Sequence, residues 1–558
     1  MSARWENEYR YDVIVRDAET VDDGLKISEI TNRAVVIVAP TGKGKSTFVE
    51  KQILPLAKSH NAKIVLCGNR VASNLQVKAR VAKLLGMENL CEELTPRGMV
   101  KHEDFGGNVR IFSYQKLEVI FTSCSKEAQL AIEFFREARF VIFDEAHFFT
   151  SDSEFNARTG LLLQQLRTIS VNAQRIYMTA TPDEIMPFLY AVEYKGLPTY
   201  GLSKLPVYRF RADWSPYKIS YFNDESELLG KIASTPENEK WVLFVDNIAF
   251  GKHLLQSIGK DAAFLDATAK TEKDTTANSI WQQIVETEKF SARVLITTAI
   301  MENGINLKDS ELKHIAIFSL RKTRFLQSLG RKRLLKNESV NLYLFNFSAS
   351  YIQQFAHHNL ELLSVIQECN RLALIRNSGT NPYWIWQREL AFRSKFYEDG
   401  SCENYKLAQR VIYFNGTFPV ANYLAESVLK QNIEFAQDLL EKLKGDETAV
   451  IKEQLAWLGK ENTFSEACWL NPCMDPDDAK SELIKFLTDC MGKSKSGETI
   501  DKFRSKFSNL SVEAFEEYKT YRKDRLPFGE TMIRKILKKK KLPFRLSISG
   551  GEWKIERA

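Results

Sequence analysis

The residues best suited to chemistry fall in two short strings about a hundred positions apart. The first is Ala39-Pro40-Thr41-Gly42-Lys43-Gly44-Lys45-Ser46-Thr47, and the second is Val141-Ile142-Phe143-Asp144-Glu145-Ala146-His147. In the first, glycines let the backbone wrap tightly, so that successive N–H groups point at phosphate oxygens. A helix beginning near Lys45 adds the partial positive charge of its N-terminus. Thr41, Gly42, Lys43, Gly44 and Thr47 would then cradle the phosphates, Lys45 would reach the β- and γ-phosphates, and the Ser46 hydroxyl would ligate Mg²⁺. In the second, Asp144 would hold Mg²⁺ and Glu145 would orient and deprotonate an attacking water. Together the strings describe one site for hydrolysing a nucleoside triphosphate. Taken singly, each has a plainer reading: a chance Gly/Lys-rich turn, or an acidic helix cap after a strand.

Both strings need strands to position them. Ala34-Val35-Val36-Ile37-Val38 is a continuous β-branched run, as in a strand buried on both faces of a parallel sheet. Phe140 to Phe143 is a second such run, which puts Asp144 and Glu145 at a strand's C-terminal end, where ligands sit in open α/β sheets.

The spelling Asp144-Glu145-Ala146-His147 resembles superfamily 2 helicases of the DEAD/DEAH-box group, and further strings follow in that family's order. The Ala-x-Thr-Gly-x-Gly-Lys loop, with Ala39 where the usual pattern has Gly, is that superfamily's common variant. Asn69-Arg70-Val71-Ala72 is similar to its first nucleic-acid-contacting motif, which implies a contact through Arg70. Val109 to Gln115 resembles the next, implying that Ser113 meets backbone phosphate. Ile176 to Pro182 contains Thr179-Ala180-Thr181, similar to the motif that couples nucleotide state to a second domain, and His147 joins Thr179 and Thr181 in that role. Thr297-Thr298 followed by Glu302-Asn303-Gly304-Ile305-Asn306 resembles a motif touching nucleic acid (Thr298) and nucleotide (Gly304). Gln327-Ser328-Leu329-Gly330-Arg331-Lys332-Arg333 resembles the arginine-finger motif. The resemblance implies ATP and Mg²⁺ as cofactors, nucleic acid as partner, and two RecA-like domains that close on the nucleotide.

The last motif departs from its pattern. Gln-x-x-Gly-Arg-x-x-Arg would place its final Arg at 334, where this chain has Leu334. On a helix, Arg333 is turned about 100° from that position. Either the segment is not ideally helical there, or Arg331 is the main finger, with Gln327 beside it, Arg333 contributing less as a solvated or phosphate-contacting base, and Arg324 a distant third.

Composition agrees with a nucleic-acid motor. The 558 residues suffice for three to four domains. With 44% hydrophobic and 27% charged residues the chain can bury ordinary cores. There is no eighteen-residue apolar run, which argues against a membrane span. The first residues lack a signal-peptide apolar core, and eight cysteines contain no Cys-x-x-Cys pair, so a reduced, cytoplasmic setting is expected. The net charge is +7, and residues 501–558 hold sixteen Lys/Arg against eight Asp/Glu. Long-range attraction to nucleic acid therefore comes mostly from the C-terminal part.

Alternating strand and helix patterns predict an α/β architecture: a RecA-like domain over 1–205 and a second over 206–349, joined near Gly196–Pro206. Residues 350–500 read as a helical accessory region, a possible docking surface for a protein partner. Its Tyr383-Trp384-Ile385-Trp386 cluster suits core packing, or stacking on single-stranded bases. Residues 501–558 read as a basic α+β module: an amphipathic segment from Met532, the run Lys538, Lys539, Lys540 and Lys541, then two alternating strands about Gly550-Gly551. This is the layout of a winged helix or of a small solvated cap; in the first case the lysines grip phosphates. The expected function is an ATP-driven helicase or translocase, on DNA in preference to RNA. The alternative is an ATP-dependent nucleic-acid sensor or nuclease partner with little unwinding. Intact Lys45, Ser46, Asp144 and Glu145 argue against an inactive scaffold.

Overall fold

In the computed structural model the described residues are 10–69, 71–90, 96–194, 204–270, 275–298, 306–334, 338–374, 408–415 and 418–460, with 534, 537–538, 544–549 and 552–557 near the C-terminus. The first domain is built on eight strands: β1 (Tyr11–Arg16), β2 (Ala34–Val38), β3 (Ile64–Gly68), β4 (Asp104–Phe105), β5 (Val109–Ser113), β6 (Phe140–Phe143), β7 (Gln174–Thr179) and β8 (Leu205–Phe210). Their order across the sheet is β1-β8-β2-β7-β6-β3-β5-β4. All neighbours run parallel except β4, which turns back on β5. The period of two sorts the β2 side chains onto both faces: Ala34, Val36 and Val38 enter one apolar layer, Val35 and Ile37 the other. This is why a strand with no polar alternation is stable here.

The second domain holds six parallel strands, β9 (Tyr217–Phe222), β10 (Lys240–Val245), β11 (Ala262–Leu265), β12 (Val294–Thr297), β13 (Leu312–Phe318) and β14 (Val340–Phe345). They are ordered β11-β12-β10-β13-β14-β9. The two sheets are tandem RecA-like units. One strand lies beyond the expected limit of 205. Leu205–Phe210 pairs with β1 on one side and β2 on the other, so the first sheet reaches past the proline-bearing connector.

A mostly helical region follows, with helices Ala349–Leu374, Tyr423–Leu443 and Ala449–Trp457. It also holds a hairpin, β15 (Ile412–Asn415) with β16 (Phe418–Ala421), that the helical expectation did not include. The 21-residue helix Tyr423–Leu443 is about 30 Å long. Its start is packed in the first domain's core through Leu424, and its far end in the second domain's core through Ala436 and Leu439. Near the C-terminus, β17 (Phe544–Ser549) and β18 (Glu552–Arg557) pair antiparallel, as the alternating pattern suggested. The Tyr383–Trp386 cluster lies outside the described residues, as do residues 461–533. Among the described residues no helix is long and apolar enough to cross a membrane.

Candidate nucleotide site between the two sheets

Strand order assembles the site. β2, β7 and β6 are parallel neighbours, so the segments leaving them, 39–47, 180–182 and 144–147, emerge at one edge of the sheet. Backbone bonds stitch these segments together. The Ala39 N–H donates to Thr179 O at 3.0 Å, that of Ala146 to Met178 O at 2.9 Å, and that of Asp144 to Cys67 O at 2.8 Å. Gly42 and Gly44 take φ of +91° and +76°, which only glycine adopts without strain. Lys45 opens the helix Lys45–Phe48, and its Nζ donates to the carbonyl of Ala39 at 2.7 Å. Burial pushes the Lys45 pKa down, offset in part by the Glu145 and Asp144 carboxylates.

The acidic pair is strained and polarised. Glu145 sits at φ +51°, a left-handed conformation costing a non-glycine residue about 1–2 kcal/mol. Its position is over-determined by the flanking bonds of Asp144 and Ala146, and by the Tyr114 hydroxyl, which donates to Asp144 O at 2.8 Å. Burial, reinforced by Glu145, raises the Asp144 pKa to about 6. Burial acts on Glu145 too, but Lys45, His147, Arg331 and Arg333 surround it and hold its carboxyl below the usual range. The two carboxylates are thus driven apart, with Glu145 the more firmly ionised. Ser46 and Asp144 line one small cavity, and a hydroxyl with a carboxylate is a hard oxygen donor set that fits Mg²⁺.

The second domain meets this edge through the helix Lys322–Leu329. Gln327 Nε2 donates to Thr181 Oγ1 at 3.3 Å and lies 3.4 Å from His147 Nδ1. The same His147 nitrogen is 3.3 Å from Thr179 Oγ1 and 3.5 Å from Glu145 Oε2. Gln327, His147, Thr179, Thr181 and Glu145 therefore form one polar chain running from the Glu145 carboxylate to the second domain.

Of the two possibilities that the spacing of Arg331 and Arg333 left open, the structure has the first: the segment is not helical there. The helix ends at Leu329, Gly330 and Arg331 form a turn, and the chain runs extended about Lys332. Lys332 bridges in parallel to Leu307; the Leu307 N–H donates to Arg331 O at 2.8 Å, and that of Arg333 to Leu307 O at 2.9 Å. Extended chain has a period of two, so Arg331 and Arg333 share a face and Lys332 points away. Lys332 Nζ is taken by Asp309 O at 2.7 Å and Glu338 at 2.9 Å. Arg331, 1% exposed, donates from Nε and Nη2 to the carbonyl and side-chain oxygens of Gln327 at 3.0 and 2.7 Å. Its Nη2 lies 4.0 Å from Glu145 Oε1. Arg333 is anchored by Nε to Asn306 Oδ1 at 2.8 Å. Its Nη1 is buried and makes no hydrogen bond among the described residues, and it stands 3.1 Å from where a Cβ on Gly42 would be. Burial, then the charge of Arg331, lowers its pKa to about 10, so it stays cationic at neutral pH. Arg324, the third candidate, pairs with Asp246 within its own domain at 3.0 Å.

Outside the immediate site, the Ser113 side chain caps the helix Tyr114–Thr122 by accepting from the Lys116 N–H at 3.1 Å. The Thr298 N–H donates to Leu265 O at 3.1 Å. Lys538 is exposed. Arg70, Gly304, Lys539, Lys540 and Lys541 lie outside the described residues. Several site residues were not anticipated. Tyr114 and Asn306 fall inside the strings 109–115 and 302–306, whose residue types mark no role for either. Trp214, Tyr217 and Trp457 line an 820 Å³ cleft that the 40–43 loop shares with Arg333. Trp457 comes from the accessory region, and no local pattern connects it with the loop.

Residues 8–184 match the family model for the res subunit of type III restriction enzymes, ResIII. No curated protein sequence matches the chain. Solved structures with a similar course include Mss116p bound to single-stranded RNA and AMP-PNP, with 14% identity over 77% of this chain and 91% of that one, and a TM-score of 0.44. The Mycobacterium smegmatis helicase Lhr bound to single-stranded DNA and AMP-PNP is 15% identical over 72% of this chain and 58% of that one, with a TM-score of 0.40. The helicase MrfA bound to DNA is 12% identical over 70% and 56%, with a TM-score of 0.41. The ResIII match spans β1 to β7 of the first sheet, and with them the segments 39–47, 144–147 and 180–182 that form its edge.

Proposed function

We propose that the protein is an ATP-dependent helicase or translocase of the DEAD/DEAH-box kind, which closes its two RecA-like domains on ATP to move along or unwind nucleic acid. The observation that carries this reading is the composite site. Lys45, Asp144 and Glu145 come from one domain, Gln327, Arg331 and Arg333 from the other, and they meet at one sheet edge. In this reading Thr41 to Thr47 hold the phosphates, and Mg²⁺, held by Ser46 and Asp144, supplies charge neutralisation on the phosphate oxygens. Glu145 accepts the proton of the attacking water, and the arginines stabilise charge on the transferred group. The experiment is the ATPase rate of the full chain with single- and double-stranded DNA and RNA in parallel. Stimulation is expected, more by DNA than by RNA. A rate indifferent to all four would reject a nucleic-acid motor. The helix Tyr423–Leu443, packed in both domain cores, favours a second reading, a nucleic-acid-responsive ATPase with little unwinding. A strand-displacement assay separates the two.

Closure itself can be tested at Gly330. A Cβ there would lie 2.6 Å from Thr41 Oγ1 and 2.7 Å from Thr41 Cβ, inside van der Waals contact across the domain boundary. The residue has an ordinary helical backbone, φ −68°, so Gly330→Ala adds no strain within its own domain. It should cut kcat for ATP by about tenfold or more, as a steric cost of roughly 1.4 kcal/mol in the closed state, while the melting temperature holds. Wild-type turnover in Gly330→Ala would mean that this contact is absent from the active state.

The lysine run calls for a different readout. Changing Lys538, Lys539, Lys540 and Lys541 to Gln should weaken nucleic-acid binding and flatten its salt dependence, by up to about 0.7–0.9 for each phosphate no longer neutralised. Turnover at saturating nucleic acid should stay near normal. Unchanged affinity across a salt titration would make the C-terminal module a structural cap.

A further inference from the structure

Glu154, 1% exposed, lies where four segments meet. Its Oε2 accepts from Arg321 Nη2 at 2.6 Å, its Oε1 from Asn432 Nδ2 at 3.1 Å, and its main-chain oxygen from Arg410 Nε at 3.0 Å. Two further interactions close the cluster. Asn432 Nδ2 also donates to Asn359 Oδ1 at 2.9 Å, and Arg321 stacks over Phe355 at 5.7 Å. Asn359 in turn donates to Phe355 O at 2.7 Å. One buried carboxylate of the first domain thus holds an arginine of the second, and the helices Ala349–Leu374 and Tyr423–Leu443 hold both.

Arg321 has a particular place in the second domain. It is the N-cap residue of the helix Lys322–Leu329, whose first turn is also pinned to the first domain. Lys322 pairs with Asp183 at 2.7 Å, and Thr323 Oγ1 donates to Glu184 at 2.9 Å. Further along, the same helix delivers Gln327 to Thr181 and His147, then Gly330 to Thr41, then the two arginines. A rigid helix transmits displacement of its first residue to its last. We propose that Glu154 is a positioning residue, through which the accessory helices fix the seating of the Lys322–Leu329 helix and with it the approach of Arg331 and Arg333 to the 39–47 loop. The consequence for catalysis rests on the ATPase reading above; the mechanical link does not.

Both parts can be measured on the full chain. Asn432 touches neither the loop nor the finger segment, so Asn432→Ala should leave every site residue in place while loosening Glu154. Glu154→Gln keeps the shape and removes the charge that Arg321 pairs with. In hydrogen–deuterium exchange each variant should speed exchange in peptides spanning 322–330 by about fivefold, and in steady-state kinetics lower kcat about tenfold with the KM for ATP within about twofold, a coupling of ordinary size. A purely structural bridge would instead lower the melting temperature and leave exchange in 322–330 as it was. Exchange altered only around 153–160 and 423–432 would overturn the proposal. Should Glu154→Gln fail to fold, Asn432→Ala decides. If the wild-type protein hydrolyses no ATP, the ATPase reading falls and the exchange result alone judges the link.

Discussion

Glu145→Gln should bind ATP, stall on nucleic acid in the ATP-bound state and turn over at a small fraction of the wild-type rate. Lys45, Arg331 and Arg333, with His147 beside them, hold the Glu145 carboxyl ionised against its burial, which is the state a proton acceptor needs. Glutamine fills the same volume and keeps the +51° backbone turn, so the substitution removes basicity and little else. Loss of a positioned general base costs about 10²- to 10⁴-fold. Lys45→Ala should fail earlier. Its ammonium is the buried cation of the 39–47 loop, and without it both ATP affinity and turnover should collapse in a protein that still folds, because the Lys45 Nζ bonds only loop carbonyls in the described structure. The two defects are told apart by nucleotide binding, retained in the first variant and lost in the second. Turnover of Glu145→Gln within about threefold of wild type, a barrier change under ~1 kcal/mol, would remove Glu145 as the base.

The pair could be read from the sequence because each half of the site follows a strand buried on both faces. Such strands leave uninterrupted apolar runs, and the loops after them are short enough to keep the reactive residues next to the run that aims them. The strand Leu205–Phe210 was missed for the converse reason. Pro206 and the nearby glycines gave the segment the composition of a connector, yet the β2 ladder begins only at Val207, so the amide that proline lacks falls before that pairing starts. The hairpin 412–421 was hidden inside a region whose helical periodicity dominated. Interactions made across hundreds of residues, such as Asn422 Nδ2 to Thr159 Oγ1 at 2.9 Å or Arg321 to Glu154, leave no local pattern at all. The finger segment is more instructive. Its motif is legible, but its spacing suggests a helix period, and the helix stops at Leu329, one residue before the glycine. A bridge to Leu307, fixed by tertiary structure, changes the period from 3.6 to 2 and turns Arg333 toward the phosphate loop.

On that change of period we propose Arg333, ahead of Arg331, as the finger. Arg331 already gives Nε and Nη2 to Gln327 and is sealed in the domain boundary, where it holds Gln327 toward His147 and Thr181. Arg333 has an Nη1 without a hydrogen bond among the described residues, buried beside Gly42, in the direction where the loop would carry phosphate. A cation placed there acts on charge that develops in the transition state, the arrangement from which arginine fingers draw about 10³- to 10⁵-fold. Arg333→Ala should therefore lower kcat by at least about 10²-fold, with nucleic-acid binding and melting temperature near wild type. Arg333→Lys should recover only part, because the ammonium keeps the charge but not the fork that reaches Asn306 and phosphate together. Arg331→Ala should lose activity as well, but with a lower melting temperature, since it leaves the Gln327 oxygen unpaired in a buried position at a cost of about 1–3 kcal/mol. The discriminating measurement is kcat against thermal stability for the two alanine variants side by side. A greater kcat loss at Arg331 than at Arg333, with stability unchanged in both, would restore Arg331 as the finger and leave Arg333 as its support.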